Sequence, residues 1–411
     1  MADKSMLVIS PIPTHPSDAG NRSRLYSLLK RFKGMGFDIH FLYLDKGHGA
    51  VYDSMSVEWK NFYRVVYGRG ALRKLSSALR ILMGKTTPFL PGAIDAWISR
   101  AGVGRCEPLP IDAWYDTSID KFIRKLQDQI SFDVVLVEYV YLSKALELFD
   151  DGTIKIIDTH DVFSNRHVQF LEKGKNPVFF YTSPEEEAKG LGRADIVLAI
   201  QENDSCYLKE LCDRDVITIG HLPNIDIGPA IKNYHSAPNR LLYVATNTVP
   251  NQDAMEFFLA EIWPDLVKAY PSVRVDVIGG ICFYLKGKVD SSFNLLYKVD
   301  DLFSYYQGEY IVINPVRIGT GLKIKNMEAL FSGKPLVTTS IGAQGLEKWA
   351  GKAFLVADDP REFADCIGKL LSDAAACKNL HENALEFARQ YRDEHERSIQ
   401  ALISRLSPSS V

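Results

Sequence analysis

Residues 314–345 bring together side chains that suit a bound anion. Arg317, Lys323 and Lys325 surround a short loop with glycines at 319 and 321 and Thr320 between them. Glycine lets the backbone approach a ligand closely. A helical pattern begins near Leu322, so the loop leads into a helix N-terminus, where free N–H groups and the helix dipole attract negative charge. Glu328 follows Lys325 by three residues, so both can share one helix face. A carboxylate near a phosphate site is useful when it holds hydroxyl groups, as on a ribose. The chemistry suggested is a nucleoside diphosphate, its phosphates met by the cations and its ribose by Glu328. The same spacing also suits a surface ion pair between Lys325 and Glu328, with glycines that merely turn the chain.

The elements that must position these groups follow from local pattern. Tyr310–Asn314 is a short β-branched run of the kind found in buried parallel strands. Leu322, Met327, Leu330 and Phe331 form one buried helix face, and Gly333 with Pro335 ends that helix. Leu336–Thr339 is the next strand, and Gly342 and Gly345 open another turn. Strand, glycine loop, helix, strand and glycine loop place the ligand at the carboxyl ends of a parallel sheet.

The rest of the chain repeats this grammar. Met6–Ser10, Phe37–Leu44, Phe132–Glu138, Ile154–Asp158, Ala194–Ile200 and Val216–Gly220 have strand patterns, with helices over 21–33 and 118–130. Arg22 and Arg24 follow Gly20 at a helix start. They suit either an anionic ligand or a solvated helix face. Residues 59–94 carry seven basic residues, interleaved aromatics and no acid. That composition fits a basic amphipathic helical segment on anionic lipid, or an inserted helical subdomain whose basic side faces an acceptor. His160 lies just past the strand ending at Asp158, a position that favours function. A metal at His160, Asp158 and Asp161 lacks further ligands nearby in sequence.

Asn203 is a candidate helix cap, and 226–239 a polar linker. Arg240–Thr246 and Val273–Gly279 begin a second set of strands. The loop Asn247–Asp253 caps a helix expected to end near Pro264, and Gly279–Gly280 makes a wall for a base. Residues 360–405 are helical and charged.

Composition sets outer limits. At 411 residues, two domains are expected. Hydrophobic residues at 46% and charged residues at 24% describe a globular protein, and a net charge of −3 argues against a general nucleic-acid binder. The six cysteines form no CxxC pair, which fits reduced thiols in a cytosolic compartment. No signal-peptide pattern and no membrane-length apolar run is visible.

The ordered pattern Pro-x-Arg-x-Gly-x-Gly-x-x-x-Lys-x-x-Glu-Ala from Pro315, then Gly-Lys-Pro-x-Val and Gly-x-x-Gly, resembles the donor signature of GT-B glycosyltransferases of the GT4-like group, the glycosyl transferases group 1 family. The Asp158-Thr-His-Asp161 run resembles the acceptor-side element of that group, and Pro223-Asn-Ile-Asp226 the turn closing its first domain. Many members carry two Glu separated by seven residues; Glu328 fits the second, and the first falls on Thr320. Many also hold a basic residue where this chain has Asn247 and Asn251.

The resemblance implies an α/β fold of two Rossmann-like domains facing each other across a cleft. They are an acceptor domain over 1–228, with the basic insert at 59–94, and a nucleotide-sugar domain over 229–390. A C-terminal helix at 391–411 would cross back to the first domain. The activity implied is hexosyl transfer with retained configuration, from a nucleotide-diphosphate sugar to a glycan, lipid-linked or protein acceptor, in cell-surface polysaccharide or glycoconjugate synthesis. No metal or other cofactor is required, and no nucleic acid is bound. The protein would be cytoplasmic, or peripheral on an anionic membrane face.

His160, Asp161, Arg317 and Lys325 would serve the transfer step. Gly20, Asn247, Gly279, Gly319, Thr320, Gly321, Lys323, Glu328 and Gly342 would bind the donor, and Arg22, Arg24 and Arg166 the acceptor. Two rivals share the fold. A sugar-nucleotide epimerase would need paired carboxylates and a base around the sugar. A non-catalytic binding module would have lost Arg317, Lys325 or Glu328.

Overall fold

The apolar runs assemble as two parallel sheets. The computed structural model describes residues 4–17, 19–45, 52–66, 107–227, 237–299 and 301–406. They form two compact units. One comprises Met1–Pro16, Leu29–Ala199 and Asp204–Ile217; the other comprises Ser17–Leu28, Ile200–Asn203 and Thr218–Val411.

The first unit is built on β1 (Lys4–Ser10), β2 (Phe37–Asp45), β3 (Asn61–Val66), β4 (Val134–Glu138), β5 (Ile154–Asp158), β6 (Ile196–Ala199) and β7 (Asp215–Thr218). Their order in the sheet is β3-β2-β1-β4-β5-β6-β7. The last five residues of β1 and all of β4 are buried, as strands covered on both faces must be. β1 pairs in parallel with β2 on one side and β4 on the other. The order therefore reverses beside β1, and the crevice at such a reversal is where ligands bind in open α/β sheets. Leu7, Val135, Val137, Ile157, Phe163 and Phe180 belong to the core of this unit.

The second unit is built on β8 (Arg240–Val244), β9 (Arg274–Ile278), β10 (Phe293–Leu295), β11 (Ile311–Asn314), β12 (Leu336–Thr338) and β13 (Leu355–Val356), in the order β10-β9-β8-β11-β12-β13. Every pairing in it is parallel. The reversal here lies between β8 and β11. Tyr243, Phe258, Val277, Ile313 and Phe363 are among the core side chains. The C-terminal region forms two helices, Pro360–Ser372 and Ala374–Leu406.

Three local expectations are corrected. Residues 61–66 are strand β3, not part of a helix, because their backbone pairs in parallel with β2. Trp59 is buried, stacks on Phe41 at 6.0 Å and donates its indole N–H to Thr14 at 2.7 Å, so it packs into protein and not lipid. Residues 67–94 of that segment lie outside the described residues. Asn203 sits inside the helix Glu202–Leu211, not at its cap. The helix expected to stop at Pro264 continues. A π-turn over Phe258–Ile262 joins Val249–Phe257 to Trp263–Ala269, and Pro264 falls just past that turn, at the second residue of the latter.

Candidate functional site

In the second unit the loop after β11 carries the expected geometry. Gly319 has φ 142° and Gly321 φ 71°, conformations open mainly to glycine. Lys323 is the N-cap of the helix Ile324–Phe331. Its ammonium turns back on the loop, donating to Gly321 O at 2.6 Å, Thr320 O at 3.3 Å and Gln344 Oε1 at 3.1 Å. Lys323 thus shapes the glycine loop as well as charging it. Beneath the loop lies a buried polar network that the sequence reading missed. Asn314 Nδ2 donates to Asn326 Oδ1 at 2.9 Å, Asn326 Nδ2 to Gly342 O at 2.8 Å, and Thr338 Oγ1 to Asn314 O at 2.9 Å. These bonds tie the end of β11, the helix and the Gly342 turn into one frame.

Lys325 and Glu328 lie within that helix. Lys325 donates to Asn251 Oδ1 at 2.9 Å and lies 4.7 Å from the Tyr243 ring centroid. Asn251 is itself fixed, donating to Thr246 O and Thr248 Oγ1, each at 3.0 Å. So the loop that lacks a cation of its own instead holds one from the neighbouring helix. The Glu328 carboxylate makes no hydrogen bond and no ion pair among the described residues. Both side chains keep some exposed surface, yet the protein around their charged ends is dense enough for desolvation to dominate both. Desolvation, then the Lys323 charge, pulls Lys325 down to about 7. Desolvation lifts Glu328 to about 7 against the opposing pull of Lys325.

Arg317 is placed differently from its expected phosphate role. Its guanidinium makes a two-pronged pair with buried Asp253, at 3.1 and 3.0 Å, and covers the Phe257 ring at 4.3 Å. The arginine fork matches a carboxylate geometrically, so Arg317 braces the helix Val249–Phe257 against the loop. Gly279, φ 105°, closes β9 where any Cβ would collide with the Ala245 carbonyl. Asn247 is exposed beside it and accepts from Gln252 at 2.9 Å. Gly20 starts the helix Gly20–Gly34, and a Cβ there would lie 2.8 Å from Ile324 Cβ, so the glycine makes room for the Ile324 side chain at the start of the other helix.

Arg24 is a correction. It is buried on the apolar face of its helix and donates to Ile219 O at 2.8 Å, so it cannot greet an acceptor. Arg22, on the same helix, keeps some exposed surface.

In the first unit, Glu138 ends β4, Asp158 ends β5, and the two are register partners. His160 follows with φ 60°, at the centre of a three-residue turn closed by Asp161 N donating to Thr159 O at 2.7 Å. A bulky residue in this conformation is strained and marks sites where surrounding contacts enforce it. His160 Nε2 is hydrogen-bonded to Glu138 Oε2 and lies 3.7 Å from Asp158 Oδ2. Its ring stacks on Tyr139 at 4.6 Å. Asp161 is not part of this trio: it pairs with Arg166 at 3.5 Å. Arg166 rests over Phe163 and Phe179. Glu187, which the sequence gave no reason to notice, accepts from the backbone N–H groups of Phe163 and Ser164 at 2.9 and 2.7 Å and so holds the loop after His160.

Residues 238–373 match the model of the family described as glycosyl transferases group 1. Among solved structures, sucrose-phosphate synthase from Thermosynechococcus elongatus is similar over 98% of this chain and 99% of that one, with TM-score 0.69 and 12% identity. TarM is similar over 99% of both chains, with TM-score 0.64 and 11% identity. HepE of Anabaena, solved with UDP and glucose, covers 98% and 99%, with TM-score 0.59 and 14% identity. A Klebsiella pneumoniae relative, described as an uncharacterized 44.6 kDa protein in the cps region, is 28% identical over 164 residues, which are 37% of this chain and 42% of that relative.

Proposed function

We propose that this chain, a GT-B protein of the glycosyl transferases group 1 family, moves a hexosyl unit with retained configuration from a nucleotide-diphosphate sugar to a glycan or lipid-linked acceptor, with no metal. The second unit binds the donor and the first the acceptor. The observation that carries this reading is the pair Lys325 and Glu328. One is a cation held in place by Asn251, the other a carboxylate without a hydrogen-bond or ion-pair partner among the described residues, both beside a glycine loop at a helix start.

Diphosphate charge is met by Lys325, by Lys323 and by the N–H groups at the helix start, an arrangement typically worth a few kcal/mol per contact in the transition state. Glu328 accepts from the ribose hydroxyls. His160 orients the acceptor or the sugar hydroxyls. A role in surface polysaccharide synthesis follows the cps-region relative, and UDP-glucose is the first donor to test because HepE was solved with UDP and glucose.

The experiment is a panel of nucleotide sugars with release of nucleoside diphosphate as readout, paired with titration of a nucleoside diphosphate and its 2′-deoxy analogue. Glu328→Gln should weaken binding by about 1.5–3 kcal/mol, and by much less for the deoxy ligand. Equal losses for both ligands would remove the ribose role. No release with any sugar, alongside intact diphosphate binding, would leave a binding module.

A further inference from the structure

We propose that Glu138 is a positioning residue for His160, fixing which imidazole nitrogen carries the proton. The inference rests on the reading above in one respect, that His160 serves the transfer. The pairing itself stands on geometry.

β4 and β5 are adjacent parallel strands in which Glu138 and Asp158 are partners, so their side chains leave the sheet on the same side at its carboxyl edge. Both carboxylates are buried. Burying two acids side by side is costly unless a donor lies between them. His160 supplies that donor. The strained turn at φ 60° swings its ring back over the strand ends, and Nε2 faces Glu138 Oε2 and Asp158 Oδ2 together. An ionised carboxylate only accepts, so the Nε2 that faces Glu138 carries a hydrogen.

Other contacts resist rotation of the ring. Tyr139, itself at φ 69°, stacks on it, and Tyr139 N donates to Asp158 O at 2.9 Å, locking the two strand ends together. The turn is thus held against its strain by the hydrogen bond it creates. Asp158, farther from Nε2, contributes less to the choice of nitrogen than Glu138.

The test combines ring nitrogen NMR of histidine-labelled protein with kinetics. His160 is assigned by comparison with His160→Gln. In the wild type its signal should show hydrogen on Nε2. In Glu138→Gln the amide can donate instead, so hydrogen should move to Nδ1, and turnover should fall about 10²-fold, while nucleoside-diphosphate affinity stays within about twofold. Glu138→Asp, which retracts the carboxylate and keeps its charge, should populate both tautomers. It decides the question if Glu138→Gln does not fold. Asp158→Asn should leave the tautomer in place. An unchanged tautomer in a folded Glu138 variant overturns the proposal. So does wild-type turnover in Glu138→Gln when His160→Ala is impaired. The three donor atoms lie within 4.8 Å of one another, so a bound divalent ion lost on Glu138→Gln, measured by elemental analysis, would also overturn it. If His160→Ala turns over normally, the transfer role of His160 fails, while the NMR result still decides the pairing.

Discussion

Binding of a nucleoside diphosphate at pH 8 should draw close to one proton from solution. Lys325 titrates near 7 because its ammonium has lost hydration and sits near Lys323. With that value, about half of the lysine is charged at pH 7 and roughly one-tenth at pH 8. A diphosphate beside the amine brings back the opposite charge that burial denied it and moves the group toward its ordinary range. Uptake should therefore be about 0.9 proton at pH 8 and about 0.5 at pH 7. The ligand contributes nothing at pH 8, since the second phosphate ionisation lies near 6. Glu328, lifted to about 7, is by then mostly ionised and ready to accept from hydroxyls. The sign for affinity follows: raising the pH discharges Lys325, so binding should weaken about fivefold from pH 7 to pH 8. Calorimetry in three buffers of different ionisation enthalpy counts the protons directly. Lys325→Met should reduce the count to near zero, and Glu328→Gln should preserve it. Uptake below about 0.2 proton at pH 8 in the wild type, or the same uptake in Lys325→Met, would refute the account of Lys325 as a desolvated cation at the phosphate site.

Two further outcomes follow from buried groups elsewhere in the second unit. Asp253→Asn should cost about 2–3 kcal/mol in urea unfolding, because it strips the charge from a buried partner of Arg317 while solvent compensates only the exposed edge of the guanidinium; unchanged stability would return Arg317 to the phosphate role that the sequence suggested. His395 accepts the Gly220 N–H at 3.1 Å, and burial, followed by the Arg24 charge, holds it down to about 4. Its folded value lies below its unfolded one, so its contribution is complete above about pH 6.5 and is lost as the pH falls toward 4, by up to about 3 kcal/mol; His395→Gln should flatten that part of the stability curve, and identical curves would mean that other groups carry the acid sensitivity.

The architecture was legible because its grammar is local. Runs such as Met6–Ser10, Ile154–Asp158 and Tyr310–Asn314 are short, apolar and bounded by turn formers, and the structure makes a strand of each, or of nearly its whole length, buried except at the first two residues of Ile154–Asp158. The stretch from Trp59 was misread because composition outweighed period. Its first residues alternate as a strand does, and an aromatic-rich basic segment also supplies an edge strand whose outer face is solvated. Pro264 misled for a related reason. Proline ends a helix from the inside but begins one well, and sequence alone does not reveal the π-turn that resets the register before it.

Charge was legible in kind and not in direction. Arg24, Arg317, Lys323 and Lys325 all entered the reading as cations near an anion site. Arg24 instead serves a backbone carbonyl and Arg317 serves Asp253, while Lys323 shapes the loop as well as charging it. What separates Lys325 is its acceptor, a neutral amide on Asn251, which leaves its charge uncompensated by a hydrogen-bonded acid. The partner decides the role, and partners lie 64 and 74 residues away for Arg317 and Lys325. Glu138 shows the same limit from the other side. The chain ends two apolar strands in an acid, at Glu138 and at Asp158, and each looks alone like a solvated strand end. Only the parallel pairing of β4 with β5 makes them neighbours, and only then does the buried charge demand a donor. Successive buried strands that each end in an acid, with a histidine two residues past the second, are thus a sequence signal for a carboxylate-held imidazole wherever the strands pair in register.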